Sequence, residues 1–287
     1  MGSRLLYYLV LKPISWLPYW ALYAFSNLLY YVMYYGIGYR KKVVRSNMHG
    51  CFPEWTRDQL KKTERAFYRN FCDVLLESIK HFSVSYHNVA PRMDAGNTEI
   101  FDRFHQQGKH IILAGGHMGN WELWAIACPP TIPGKVMAIY KRLSNPFFDA
   151  KMRETRGAHG LELVATKDVQ RYIHEEMKTP TTMVFAIDQS PSNPQKALWI
   201  DFLGRETAAL FGTEKYAREL NCPVIFASIL KTGRGRYAMK YHLVSEHPAE
   251  LEHGELTRMN HALLEADIRK NPELWLWTHK RWKHRKP

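Results

Sequence analysis

A chain of 287 residues with 46% apolar and 13% aromatic content can bury a substantial core, which excludes a disordered chain and favours one large α/β domain, alone or with a small appendage. Its formal charge of +13 points to an anionic partner: nucleic acid, an anionic membrane face or an acidic carrier protein. Four cysteines, Cys51, Cys72, Cys128 and Cys222, have neither CxxC nor zinc spacing and read as reduced packing residues on the cytoplasmic side.

Residues 5–39 are apolar and rich in Tyr and Trp. Pro13 and Pro18 break them, and the longer piece, residues 19–37, comes close to the roughly 20 residues that cross a bilayer. No A-x-A cleavage pattern is present, so the segment does not read as a signal peptide. Arg40, Lys41, Lys42 and Arg45 lie just beyond it and place the end of a membrane-anchoring helix on the cytoplasmic side. Both a spanning helix and one lying in the interface fit; tyrosines on nearly every face disfavour a helix buried in a soluble core. The chain is thus expected to divide into an anchor, residues 1–45, and a globular domain, residues 46–287.

Residues 56–82 read as a long amphipathic helix. Thr56 and Gln59 form a capping box, and Phe67, Phe71, Val74, Leu75 and Ile79 make one apolar stripe. Lys61, Lys62, Arg65 and Arg69 lie largely off that stripe, on a solvated face or near lipid headgroups. After Asn97, strands are expected at 111–114, 135–140, 162–165, 182–187, 223–230 and 236–243, with helices at 145–156, 167–177, 212–220 and 256–269. Short apolar strands alternating with helices predict an α/β fold, a mostly parallel sheet flanked by helices. The last two strands, joined at 233–235, read as a hairpin on the sheet edge.

The chemistry concentrates in KHIILAGGHMGNWELW, residues 109–124. Four residues separate His117 from Glu122. On one continuous helix such positions do not share a face, so the two meet only if His117 lies on a turn and Glu122 in the first turn of the helix that follows. Gly115, Gly116 and Gly119 permit that turn. The end of a buried strand leading into a helix is a common α/β ligand site. The spacing alone is weak: 14 His and 27 acidic residues give about one match by chance. His49/Glu54 and His247/Glu252 also fit, but each spans a proline, Pro53 or Pro248, and neither follows a buried strand. On the residues alone, His117 and Glu122 read as a general base with its carboxylate, or as a structural histidine beneath a helix cap. His-x4-Glu is not the His-Glu-x-x-His zinc motif, and no third ligand is evident, so no metal is expected.

GGHMGNWE resembles the His-x4-Asp/Glu box of the bacterial lipid A late acyltransferases. The resemblance continues in order through YKRLSNPFFDAKMRETRGAHG, FAIDQSPSNP, DFLGRETAALFGTEKYAREL and NPELWLWTHKRWK, covering about residues 70–283. It implies a glycerolipid-acyltransferase-like fold and a membrane enzyme on the cytoplasmic face of the inner membrane. The implied reaction moves an acyl chain from acyl carrier protein (or acyl-CoA) to a hydroxyl of a lipid A precursor or related glycolipid. It implies no cofactor and no nucleic-acid partner. Under it His117 is the base, Glu122 its support, and Arg156 contacts a phosphate or fixes the site. Asp188 and Gln189 wall the site as hydrogen-bond partners, and Gly119 and Asn120, inside the box, are assigned to the substrate side. Ser190 departs from the family's Asp-Gln-Asp, and Ala209 and Phe211 stand where threonines are expected. These departures keep open an aminolipid or another glycolipid as acceptor. Trp275, Trp277, His279, Arg281, Trp282 and Lys283 match the closing pattern, with Trp282 for the usual phenylalanine. Aromatics beside bases suit a second membrane-interface anchor, and would also suit single-stranded nucleic acid, though the N-terminal segment favours the membrane. A different class, a non-catalytic membrane protein binding anionic lipid, predicts no thioester consumption.

Overall fold

The continuous apolar runs of the sequence become the inner strands of a sheet buried on both faces. In the computed structural model, which describes residues 2–286, the strands are β1 (Met93–Asp94), β2 (Ile111–Gly115), β3 (Lys135–Tyr140), β4 (Leu161–Ala165), β5 (Thr181–Ala186), β6 (Leu198–Phe202), β7 (Arg205–Ala209), β8 (Val224–Gly233) and β9 (Arg236–Ser245). Seven form one sheet in the order β1-β9-β8-β2-β5-β3-β4, and every neighbouring pair is parallel except β8/β9. The β8/β9 hairpin therefore lies inside the sheet and not on its edge, because the short strand β1 pairs outside β9. The separate hairpin β6–β7 was not anticipated. Its turn residues Leu203 and Gly204 both take positive φ, 56° and 69°, and Leu203 hides that conformation from a sequence reading that looks for Asn-Gly or Gly-Gly.

Alternate residues of β2 face opposite layers. Ile111 and Leu113 pack with Phe101 and Phe104 of the Glu99–Gln106 helix and with Leu123 of the Trp121–Ala127 helix. Ile112 packs with Tyr216 and Ala217 of the Gly212–Leu220 helix and Leu256 of the Glu255–Lys270 helix. Helices thus cover both faces.

The Arg57–Lys80 helix begins at Thr56, with the capping box to Gln59 formed in both directions. Against it lies the Tyr19–Tyr31 helix, continued by wider turns through Val32–Ile37. Leu22, Ser26, Tyr30 and Tyr34, spaced by four, are its buried stripe. Other apolar side chains of the N-terminal segment are bare: Trp20 is 77% and Ile37 72% exposed, and Leu5, Leu9, Trp16 and Leu28 are exposed as well. Among the described residues no helix is long and apolar enough to cross a membrane. The expected boundary at residue 45 is bridged by a shared core, in which Tyr30, Tyr34 and Val44 join Phe67, Ala114 and Ile187. The β8–β9 turn fastens this segment down. Arg234 holds Asp73 through Nε (2.9 Å) and Nη2 (2.6 Å), and Nη2 also reaches Asn27 (2.8 Å). At Gly235 a side chain would collide with the Tyr23 hydroxyl.

The C-terminal motif packs largely into the protein. Trp275 and Trp277 are buried in the core, and Arg281 is only 2% exposed, donating to the Ala208 carbonyl. His279 accepts the Ser190 N–H at 2.9 Å. These aromatics face polar partners inside the protein, which an amphipathic reading of the sequence does not distinguish from a lipid surface.

Candidate active site

Because β2 and β5 are adjacent and parallel, their carboxyl ends meet: Gly115 pairs with Ala186, and the chain runs on to His117 from one and Asp188 from the other. This is where open α/β sheets place ligands. Gly119, at φ +54°, completes the turn, and a side chain there would strike Ile229 at 2.9 Å. Asn120 then starts the Trp121–Ala127 helix by accepting the Leu123 N–H at 2.8 Å.

His117 Nδ1 lies 2.7 Å from Asp188 Oδ1, and the His117 backbone N–H donates to Asp188 Oδ2 at 2.8 Å. The Trp275 indole N–H donates to the same Oδ2 at 2.9 Å. Asp188 is buried, which alone would raise its pKa. The His117 charge and these hydrogen bonds outweigh burial and hold the carboxyl well below the usual range. An ionised acceptor fixes the imidazole tautomer: Nδ1 carries the proton and Nε2 keeps its lone pair. Nε2 faces outward, with the Gln189 amide nitrogen 3.3 Å away. Burial pulls the His117 pKa down, but Asp188, and to a lesser degree Glu122, raise it above its ordinary value.

Glu122 does not hydrogen-bond to His117. Arg156 takes its carboxylate in a two-pronged grip, Nε to Oε2 at 2.8 Å and Nη2 to Oε1 at 2.5 Å. Burial would raise Glu122; Arg156, then His81 and His117, bring it below its usual value. The expected His117–Glu122 pairing is therefore corrected: Asp188 holds the ring, and Glu122 holds Arg156 beside it. The reason is geometric, since the ring edge that needs an acceptor points to the neighbouring strand and not down the following helix. Two further expectations shift. Asn120, expected on the substrate side, is 0% exposed with both ends of its amide engaged inside the protein, and Gly119 is buried beside it. Gln189 lies at the open side of the ring. Sequence reasoning missed Trp275 as a donor to Asp188. The only available signal was an indole in the closing motif, without its partner.

An apolar cavity of about 150 Å³ is lined by Gly115, Gly116 and His117 of the turn and by Trp121, Trp124 and Ala125 of the Trp121–Ala127 helix. Ala138, Leu163, Val184 and Met239 add further apolar lining, and Arg156 is the cationic group among the lining residues. Such a site joins a base with a free lone pair, a cationic group and a greasy slot, which is the equipment for acyl transfer between a lipid-like donor and a hydroxyl.

No curated protein matches the chain. The family model for bacterial lipid A biosynthesis acyltransferase matches residues 2–284. Since that match takes in both the N-terminal helices and every residue of the site, the chain belongs to the bacterial lipid A biosynthesis acyltransferase family, whose members are acyltransferases.

Proposed function

We propose that this protein transfers a fatty acyl chain from a thioester of acyl carrier protein, or of CoA, to a hydroxyl of a lipid A precursor at the cytoplasmic face of the inner membrane. The observation that carries the reading is the engaged Nδ1 of His117, which leaves Nε2 basic on a residue that lines an apolar cavity. The thioester's chain occupies the cavity and its carbonyl sits at the rim. His117 Nε2 takes the acceptor hydroxyl's proton as that oxygen attacks the carbonyl carbon. Asp188 stabilises the imidazolium. The Gln189 amide and Arg156, whose Nη1 is not used by Glu122, stabilise charge on the carbonyl oxygen. The C–S bond then breaks, and the imidazolium returns the proton to the leaving thiolate.

Membrane attachment is supported by the bare apolar side of residues 5–37. Its Trp and Tyr content and the nearby Arg40, Lys41 and Lys42 suit a segment lying in the interface next to anionic headgroups. The net charge of +13 suits both an acidic carrier and a phosphorylated glycolipid.

The test is purified protein supplied with acyl carrier and CoA thioesters of several lengths and a panel of lipid acceptors, followed by mass spectrometry. One lipid A precursor is expected to gain one acyl chain, and His117→Ala to abolish this while still sedimenting with vesicles. Transfer only to an aminolipid or another glycolipid would replace the acceptor. Full activity in His117→Ala would defeat the mechanism.

A further inference from the structure

Behind the catalytic turn lies a carboxylate that the proposed chemistry leaves unused. Glu77, in the Arg57–Lys80 helix, is 3% exposed. Its Oε2 accepts from Asn120 Nδ2 at 2.6 Å and from the Tyr237 hydroxyl at 3.1 Å, and its Oε1 accepts from the Tyr23 hydroxyl at 2.8 Å. Three donors thus converge on one buried acid from three parts of the chain: the catalytic turn, β9 and the Tyr19–Tyr31 helix. Burial, with the nearby Asp73 charge, raises its pKa, and the hydrogen bonds counter that.

A buried carboxylate is a poor source of stability, because desolvation offsets what its bonds return. What three directional bonds supply is placement. Asn120 is where placement matters. Its Oδ1 starts the helix that carries Glu122, and it lies three residues after His117 on a turn also tied by the His117 N–H to Asp188 at 2.8 Å and by the Gly119 N–H to the Leu274 carbonyl at 3.0 Å. With its Nδ2 on Glu77, the amide cannot rotate, and the turn is fixed relative to the long helix. Tyr23 adds the third link. It lies on the helix that also carries the exposed Trp20 and Leu28.

We propose that Glu77 is a positioning residue for acyl transfer: it sets the His117 turn through Asn120 and joins that turn to the lipid-facing N-terminal helix through Tyr23. The inference rests on the base role given above to His117. The reaction rate therefore depends on how the N-terminal helix is seated, since displacing Tyr23 removes one of the bonds that orient the Glu77 carboxylate.

The experiment exchanges the two partners. Turnover with saturating thioester and acceptor, KM for each, and thermal unfolding are measured for wild type, H117A, E77A, E77Q, N120D, Y23F and the double variants E77Q/N120D and Y23F/E77A. E77A is expected to lower kcat about 10–10²-fold with both KM values within about twofold, the signature of misplaced catalytic groups. E77Q is expected to stay within about threefold of wild type, because its amide oxygen accepts from Asn120 and Tyr237 while its NH₂ donates to the Tyr23 oxygen. N120D sets two carboxylates face to face and is expected to fall as far as E77A. Adding E77Q to N120D is expected to recover about tenfold, the introduced amide donating to the introduced carboxylate. Tyr23→Phe is expected to lower kcat about threefold alone and no further in the E77A background. A folded E77A with wild-type kcat, or a double variant no better than N120D, overturns the positioning role. Independent effects of Tyr23→Phe and E77A overturn the link to the N-terminal helix. Wild-type activity in H117A would instead remove the base assignment, an outcome separable from the others.

Discussion

Two carboxylates flank His117 in different company. Asp188 comes from the neighbouring parallel strand, is buried, and accepts from the imidazole, a backbone N–H and an indole. Glu122 comes from the helix just after the histidine and is gripped by a guanidinium. Sequence distance favours Glu122, but spatial adjacency favours Asp188. In the proposed mechanism the base is oriented by the acid that meets its ring edge, while the acid nearest in sequence holds a cation beside it. Both acids lie below their ordinary pKa, so both are anionic at neutral pH and they differ in task and not in charge.

The ranking of substitutions tests this division. Asp188→Asn is expected to be the most damaging, lowering kcat about 10³-fold, since the amide stabilises the wrong tautomer and no imidazolium partner remains. Glu122→Gln is expected to cost about 10–10²-fold, through a loosened Arg156. The reverse order, measured as kcat on one acceptor, would return the base's partner to Glu122. Trp275→Phe removes one charged-acceptor hydrogen bond while keeping the ring's bulk, and about a tenfold loss is expected. The pH profile sharpens the comparison further. His117 works as a base only when neutral, so kcat/KM should rise with pH along a limb centred above 6.5, the ordinary value, because Asp188 and Glu122 raise its pKa against the effect of burial. Glu122→Gln removes one of the raising charges and should move that limb to lower pH; a limb that stays put means Glu122 is not felt at the ring. The smallest effect on chemistry belongs to Trp20→Lys with Ile37→Lys. Turnover in detergent should stay within about twofold while cosedimentation with anionic vesicles falls; unchanged cosedimentation would mean the bare side is not what meets lipid.

Much of this arrangement was legible in the sequence. The strand leading to His117, the capping box at Thr56 and the helices expected at 212–220 and 256–269 all followed from local apolar pattern and cap chemistry. Asp188 was visible as a residue ending an apolar strand, but its partner was not. That required knowing that β5 lies beside β2, and strand order is a long-range property that no local pattern carries. The same limit explains the chain ends. Both are rich in aromatics and bases, yet Trp20 faces outward while Trp277 packs inside. What separates them is where the core closes: Asn47 uses its amide to hold the Trp277 and His279 carbonyls from 230 and 232 residues away.

The β8–β9 turn carries a consequence for the order of assembly. Arg234 reaches Asn27 across 207 residues and Asp73 across 161, and the tight fit of Gly235 on Tyr23 needs that turn already in place. During synthesis the greasy N-terminal helix therefore leaves the ribosome long before the clasp that secures it exists, and such distant closures are slow. Under the membrane attachment proposed above, a bilayer surface would cover the unclasped segment in that interval, so the same apolar side chains would serve the nascent chain before they serve the finished protein.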